Sequence, residues 1–311
     1  MNPCIQSLRL RTLPLSVAGI VLGSGLAFRE SRLVMGDWSM VSDLRAWVIF
    51  GLAMLTALSL QILSNLSNEL GDALKGTDTD QHGREAYGLQ AGTITVAQMK
   101  AMIGLFIGLS VVFGTTLVLS AFSVQPSEVS IQDSAFSIQD SVVSIVVFLG
   151  LGALAIAGAM TYTLGKHSYG YMGLGDLGVF LFFGLLSTIG AFYLQTQTVT
   201  WDVIACGVAI GLPCVGVLNL NNIRDMNNDR AHGKRTLASR LGVTGGKVYH
   251  TALLVICMTL FVVCGHFWSL CVLPVWAWHV WFVWTHEGSA LDIQMPVLML
   301  STGVLSCLGW A

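Results

Sequence analysis

Nine long apolar stretches, separated by shorter polar ones, dominate the chain, at approximate limits 13–28, 44–64, 101–122, 142–164, 174–194, 203–220, 249–266, 267–284 and 293–310. A bilayer-crossing helix needs about 20 mostly apolar residues, so each stretch is of spanning or near-spanning length. The first is short and the seventh and eighth are nearly continuous, which leaves counts of eight or ten open. Glycine recurs inside them, as in "GLFIGLSVVFG" and "FLGLGALAIAGAM", and suits close helix packing in lipid. The expectation is an all-α polytopic membrane protein, one domain over 1–311 with about nine transmembrane helices.

Composition strengthens this picture. The 311 residues are 54% hydrophobic and 10% charged, with a mean hydropathy of +0.72, against about a quarter charged in ordinary soluble domains. The lipid bilayer is therefore the first partner. A net charge of −2 gives no reason to expect a nucleic acid. The seven cysteines form no CxxC or zinc-spaced pattern, and they read as small hydrophobes in helix packing. Arg9 and Arg11 precede the first apolar run, which reads as an uncleaved first span rather than a signal peptide.

Lysine and arginine give the orientation. With the N-terminus cytoplasmic, twelve of the 15 basic residues fall on that side, and only Arg29, Arg32 and Arg45 on the other. The expected location is the cell inner membrane, with the two charge-rich loops facing the cytoplasm.

Those loops echo one another. "NELGDALKGTDTDQHGRE" (68–85) and "NNIRDMNNDRAHGKRT" (221–236) both open N-x-x-x-D at a helix end. Both then reach a D…H-G-[R/K] string, Asp80–Arg84 and Asp229–Lys234, in the manner of a faded duplication. His82 and His232 hold matching places and read as turn residues. The outer stretch 123–141 repeats "SIQDS". It reads as a low-complexity insertion, a loop or helical extension without chemistry. The "WAWHVWFVW" run at 276–284 reads as an interfacial or lipid-facing belt.

Candidate chemistry lies in the loops. A spacing of four places Asn221, Asp225 and Asp229 on one helix stripe. Stacked carboxylates repel unless a divalent cation lies between them, and an all-oxygen set without Cys or His points to Mg²⁺. Asn68 and Asp72 repeat the pair. The chain breaks at "KGT", so Asp78 can swing back as a further ligand, while Glu69 and Asp80 are less aligned. Around these acids stand Arg11, Lys75, Arg84, Lys166, Arg224, Arg230, Lys234 and Arg235. Acids for a metal and bases for phosphate oxygens, at a membrane edge, suit a Mg²⁺–diphosphate whose lipid tail lies in the bilayer.

The strings "LRTLPLSVAGIVLG", "QILSNLSNELGDALKGTD", "YTLGKHSYGYMGLGDLGVFLFFG" and "NLNNIRDMNNDRAHGKRTLASRLG" resemble the UbiA superfamily of intramembrane prenyltransferases, in particular its 1,4-dihydroxy-2-naphthoate branch. They cover most of residues 8–245. The resemblance implies a UbiA-type helical bundle. It also implies metal and diphosphate binding at Asn68, Asp72, Asp78, Asn221, Asp225 and Asp229. Asp72, Asp225, Asp229 and Lys166 are the implied catalytic set. Arg11, Asn68, Lys75, Arg84, Tyr162, Asp176, Asn221 and Lys234 are the implied contacts to diphosphate and acceptor. Tyr162 and Lys166 match a Tyr-x-x-x-Lys element of the family, and Asp176 lies near its acceptor region. One departure is Gly76, where the general motif has its second Asp; Asp78 supplies the wider spacing. The implied reaction transfers a polyprenyl group from its diphosphate to the naphthoate ring, with loss of CO₂, in menaquinone synthesis. Tyr162, Tyr169 and Phe183 are candidate faces for the allylic cation. Another aromatic acceptor, such as 4-hydroxybenzoate or homogentisate, stays open. A cation transporter fits poorly, because acids are nearly absent from mid-span positions.

Overall fold

The structure is a computed structural model that describes residues 3–35, 44–77, 88–123 and 134–310. Among these, nine helical segments are long and apolar enough to cross a membrane, at the nine places the hydropathy pattern predicts. They are α1 (Leu13–Met35), α2 (Leu44–Lys75), α3 (Val96–Phe122), α4 (Ser134–Thr161), α5 (Gly175–Thr196), α6 (Trp201–Arg224), α7 (Leu237–Val263), and two segments, Phe267–Thr285 and Gly288–Trp310, in which α8 (Leu273–Thr285) and α9 (Gln294–Ser306) are extended by 3-10 turns. Short 3-10 turns at Phe267–Val272 and Gly288–Ile293 lead into α8 and α9. The second half of the "SIQDS" repeat joins α4, while 124–133 lies outside the described residues.

Helix α6 is the most enclosed span, and it packs on α7, α9 and the middle of α5. One core joins α1, α6, α7, α8 and α9 around residues such as Leu22, Ile210, Cys257, Phe261 and Leu298. Two smaller clusters join α2, α3 and α4 to the rest. The α4 surface is almost wholly open, as expected of a lipid-facing rim helix.

Close crossings explain some of the glycines. A Cβ on Gly184 would lie 2.7 Å from Gly211 Cα and 2.8 Å from Gly207 O, so α5 and α6 touch backbone to backbone. Gly184 sits in a π-helical segment, Phe180–Leu186, a local widening that helices often carry near functional sites.

The loops sort to two ends. At one end, Arg45 Nη2 donates to Ala121 O (2.7 Å), and Arg29 pairs with Asp202 (2.8 Å) beside His266 and Cys206. The Arg29 guanidinium already supplies positive charge to that Asp–Cys–His group. At the other end lie Asp72, Asp225 and Lys247, whose Nζ donates to Trp284 O and His286 O at the end of α8.

Two details differ from expectation. The cysteines, expected in helix packing, are not all enclosed: Cys257 is buried, Cys264 partly so and Cys271 exposed. In the tryptophan run, Trp278, Trp281 and Trp284 are exposed. Trp276 instead turns inward and donates to Ser301 Oγ at 2.8 Å.

Candidate active site

Helix α2 carries a polar stripe through an otherwise apolar span: Gln61, Asn65, Asn68 and Asp72, at helical intervals of three and four. Gln61 Nε2 donates to Thr12 Oγ1 (3.2 Å) and Asn65 Nδ2 to Leu8 O (2.9 Å). These bonds pin the segment before α1, where Arg9 takes a left-handed backbone (φ 51) and lines the site. Gly76 (φ 72) ends α2, with Thr77 N returning to Asp72 O at 3.1 Å. Glycine terminates helices this way because it has no Cβ penalty at positive φ.

The second acidic stripe is not one continuous helix. Helix α6 stops at Arg224, Asp225 sits at φ −92, ψ 6, and a short helix, Met226–Ala231, follows. The spacing of four survives the break, because Asp225 N bonds Asn221 O (2.9 Å) and Asp229 N bonds Asp225 O (2.8 Å).

The two motifs meet. Asn228 Nδ2 donates to Thr77 O (2.9 Å), tying one loop to the other. Tyr171 donates its hydroxyl to Asp72 Oδ1 (2.9 Å) and lies 2.5 Å from Thr77 Oγ1. Its carbonyl accepts from Arg235 N at 3.0 Å. Lys75 Nζ stands 3.7 Å from the centroid of the Tyr171 ring and Lys234 Nζ 5.8 Å, a cation–π arrangement. Burial and the neighbouring Asp72 raise the Tyr171 phenol well above its ordinary pKa, so it stays a donor.

Both stripes open into one cavity of about 680 Å³. Its polar end carries Arg9, Asn68, Asp72, Asn221, Asp225, Asp229 and Lys234. The rest is mainly apolar, walled by residues such as Ala53, Leu60, Leu151, Phe182 and Leu194. Tyr162 joins the polar end and meets Tyr169 edge-on, with centroids 5.2 Å apart. Burial pushes the Tyr162 phenol up to about 12.

The donor set suits a hard divalent cation. Asp229 is buried and pairs with Lys234 at 3.4 Å, yet its Oδ2 has no hydrogen-bond partner among the described residues. Burial pushes its carboxyl up to about 6 against the pull of Lys234. Burial alone would lower the Lys234 ammonium, but Asp229, Tyr162 and Asp72 hold it above its usual value. The pocket therefore has more carboxylate than its own cations compensate. Its oxygen donors are those Mg²⁺ prefers.

Other expected residues fall elsewhere. Lys166 is exposed on the turn after α4, outside the cavity lining. Asp176 also lies outside that lining, in a narrow crevice with Tyr162, Asn222 and Thr236, and hydrogen-bonds Tyr249. Lys75 bonds Ser168 and covers Tyr171. Glu69 is buried and accepts from Ser7 Oγ (3.2 Å) and Leu89 N (2.9 Å), which ties together two local segments. His232 caps its short helix against Asn228 O at 2.9 Å. Asp78, Asp80, His82 and Arg84 lie outside the described residues, as does the Arg11 side chain.

A bundle of membrane-spanning helices whose two carboxylate-bearing helix ends meet over one mainly apolar cavity has the frame of a membrane-embedded enzyme whose substrate is part charged and part apolar. Residues 138–292 match the UbiA prenyltransferase family. The chain is 39% identical over 260 residues to a 1,4-dihydroxy-2-naphthoate octaprenyltransferase of Escherichia coli, covering 83% of this chain and 75% of that one. It is 34% identical over 316 residues to the protein of that description in Haemophilus influenzae, covering 98% and 94%. A solved structure of a UbiA homolog from Aeropyrum pernix superposes with a TM-score of 0.64 at 15% identity, covering 94% of this chain and 96% of that one. The protein belongs to the UbiA prenyltransferase family.

Sequence reasoning missed several residues of this site. Tyr171 lies in a string quoted for its resemblance, yet nothing in the string marks it as the Asp72 partner. The α2 stripe was legible: two amides at Gln61 and Asn65 inside an apolar span are costly unless they find partners. In the sequence Arg9 is marked only by its charge.

Proposed function

We propose that the protein transfers a polyprenyl group from a polyprenyl diphosphate to 1,4-dihydroxy-2-naphthoate, with loss of the ring carboxylate as CO₂, in menaquinone biosynthesis. The observation that carries the reading is the meeting of Asp72 with Asp225 and Asp229 at the polar end of one mainly apolar cavity, together with the naphthoate relatives at 39% and 34% identity.

Asn68, Asp72, Asn221, Asp225 and Asp229 would hold Mg²⁺, with Asp78 as a further ligand. When bound, the metal neutralises the diphosphate and eases cleavage of the allylic C–O bond. Lys234 and Arg9 offer charge-assisted bonds to phosphate oxygens, while for Arg11, Lys75, Arg84 and Lys166 that role rests on the family resemblance. The apolar walls hold the prenyl chain and keep water from the cation formed on ionisation. The Tyr162 and Tyr169 rings lie where their faces can ease that charge. Electron-pair flow then runs from the naphthol ring to the allylic carbon, and the C–CO₂⁻ bond supplies the pair that restores the aromatic ring. No separate base is needed for that ring carbon.

The same reading places the polar end at the cytoplasmic face of the inner membrane, following the basic-residue bias, and treats 1–311 as one domain. The test is an assay of membranes carrying the protein with Mg²⁺, octaprenyl diphosphate and a panel of aromatic acids, with products identified by mass. Prenylated naphthoquinol is the expected product. Turnover of 4-hydroxybenzoate or homogentisate, with none of the naphthoate, would replace the acceptor and leave the diphosphate chemistry intact.

A further inference from the structure

Arg224 is the last residue of α6, and its side chain is only 8% exposed. Its Nε donates to Asp225 Oδ1 and its Nη2 to Asp225 Oδ2, each at 2.7 Å. Its Nη1 donates to Asp292, in the 3-10 turn that leads into α9. All three side chains line the cavity. Consecutive residues within a helix do not face one another. The break at Asp225 (φ −92, ψ 6) lets the guanidinium fork lie along its neighbour's carboxylate.

The far carboxylate is itself anchored. Two residues beyond Asp292, Gln294 Oε1 lies 2.7 Å from His279 Nδ1, and His279 Nε2 lies 2.9 Å from His250 Nε2. These three side chains are fully buried. A polar strut thus crosses from α7 through α8 to the start of α9 and fixes the turn that carries Asp292.

We propose that Asp292 is a positioning residue that acts through Arg224 to orient the Asp225 carboxylate for the metal. An arginine side chain has many rotamers, so one carboxylate holds it loosely and two hold it in a single plane. The bidentate fork fixes the plane of the Asp225 carboxylate. Two carboxylates and one guanidinium leave the group a net charge of −1, so the pair does not cancel the site's attraction for metal. Hydrogen-bonded supports of ligating groups typically contribute 10–100-fold in metal affinity or activity.

The inference rests on the reading of Asp225 as a metal ligand, and the experiment separates the two. Full-length protein in lipid nanodiscs, without substrate, is titrated with Mn²⁺ and followed by electron paramagnetic resonance. D225N is the control for the ligand, and the thermal midpoint without metal checks the fold. D292N and D292S are expected to weaken Mn²⁺ binding by roughly tenfold. R224Q should do the same, and so should R224K, which keeps the charge but not the fork. D292N in an R224Q background should add nothing, because the two act in series. Affinity for D292N and D292S within twofold of wild type, or a D292N loss that adds in full to that of R224Q, would overturn the proposal. No Mn²⁺ binding by the wild type, or no effect of D225N, would overturn the metal assignment itself.

Discussion

Tyr171→Phe isolates one contact between the two acidic motifs. The substitution removes the hydroxyl that donates to Asp72 Oδ1 at 2.9 Å and contacts Thr77 Oγ1 at 2.5 Å. It keeps the ring beneath Lys75 Nζ, 3.7 Å from the centroid. A hydrogen bond to a charged group is worth about 1.5–3 kcal/mol. Asp72 is only partly buried, so water can replace the lost donor and the lower figure applies. About 1.5 kcal/mol corresponds to roughly tenfold in kcat/KM. Tyr171→Ala also loses the ring, and with it roughly 0.5–1 kcal/mol of cation–π attraction that steadies Lys75. The assay is prenyl transfer by purified protein at saturating Mg²⁺, with the thermal midpoint measured alongside. The expected order is wild type, then Y171F about tenfold lower, then Y171A lower again. A Y171F enzyme within twofold of wild type would refute the idea that Tyr171 sets the Asp72 carboxylate.

Four further outcomes are expected. Asp72→Asn and Asp225→Asn should each abolish prenyl transfer while leaving the protein in the membrane, as read by product mass and by membrane fractionation. Lys166→Cys and Thr198→Cys, both at exposed positions on opposite ends of the bundle, should react with an impermeant thiol reagent from opposite faces only; reaction of both from one face would break the orientation. Gly184→Ala should lower thermal stability by about 1–3 kcal/mol, because its Cβ would meet Gly211 Cα at 2.7 Å, whereas Gly51→Ala, with nothing among the described residues within 4 Å, should not. Burial pushes the Tyr162 phenol up to about 12, so it is neutral throughout the working range. Tyr162→Phe should therefore leave any alkaline limb of the pH–rate profile below about pH 10 unmoved.

Hydropathy by itself pointed to a chain that spans a membrane at about nine places, because no soluble core can absorb so many apolar runs and each must satisfy its own backbone as helix. The acid spacing at Asn221, Asp225 and Asp229 was legible because a period of four is local, and the amide ladder kept it even where the helix broke at Asp225. What faced these residues was not local. Tyr171 reaches Asp72 across 99 positions, Asn228 reaches Thr77 across 151 and Arg224 reaches Asp292 across 68. A side chain's partner over such separations is set by how helices cross, here by bare backbone approach at Gly184 and Gly211, and no periodicity along the chain records it. The same physics divides Lys234 from Lys166. Both are lysines near the acidic loops, but the turn after Asp229 folds Lys234 back into the buried end of the cavity, while Lys166 stands in solvent at the end of α4. Charge and spacing point to a kind of chemistry. Only the packing of nine helices decided which of the charged groups share one enclosed volume.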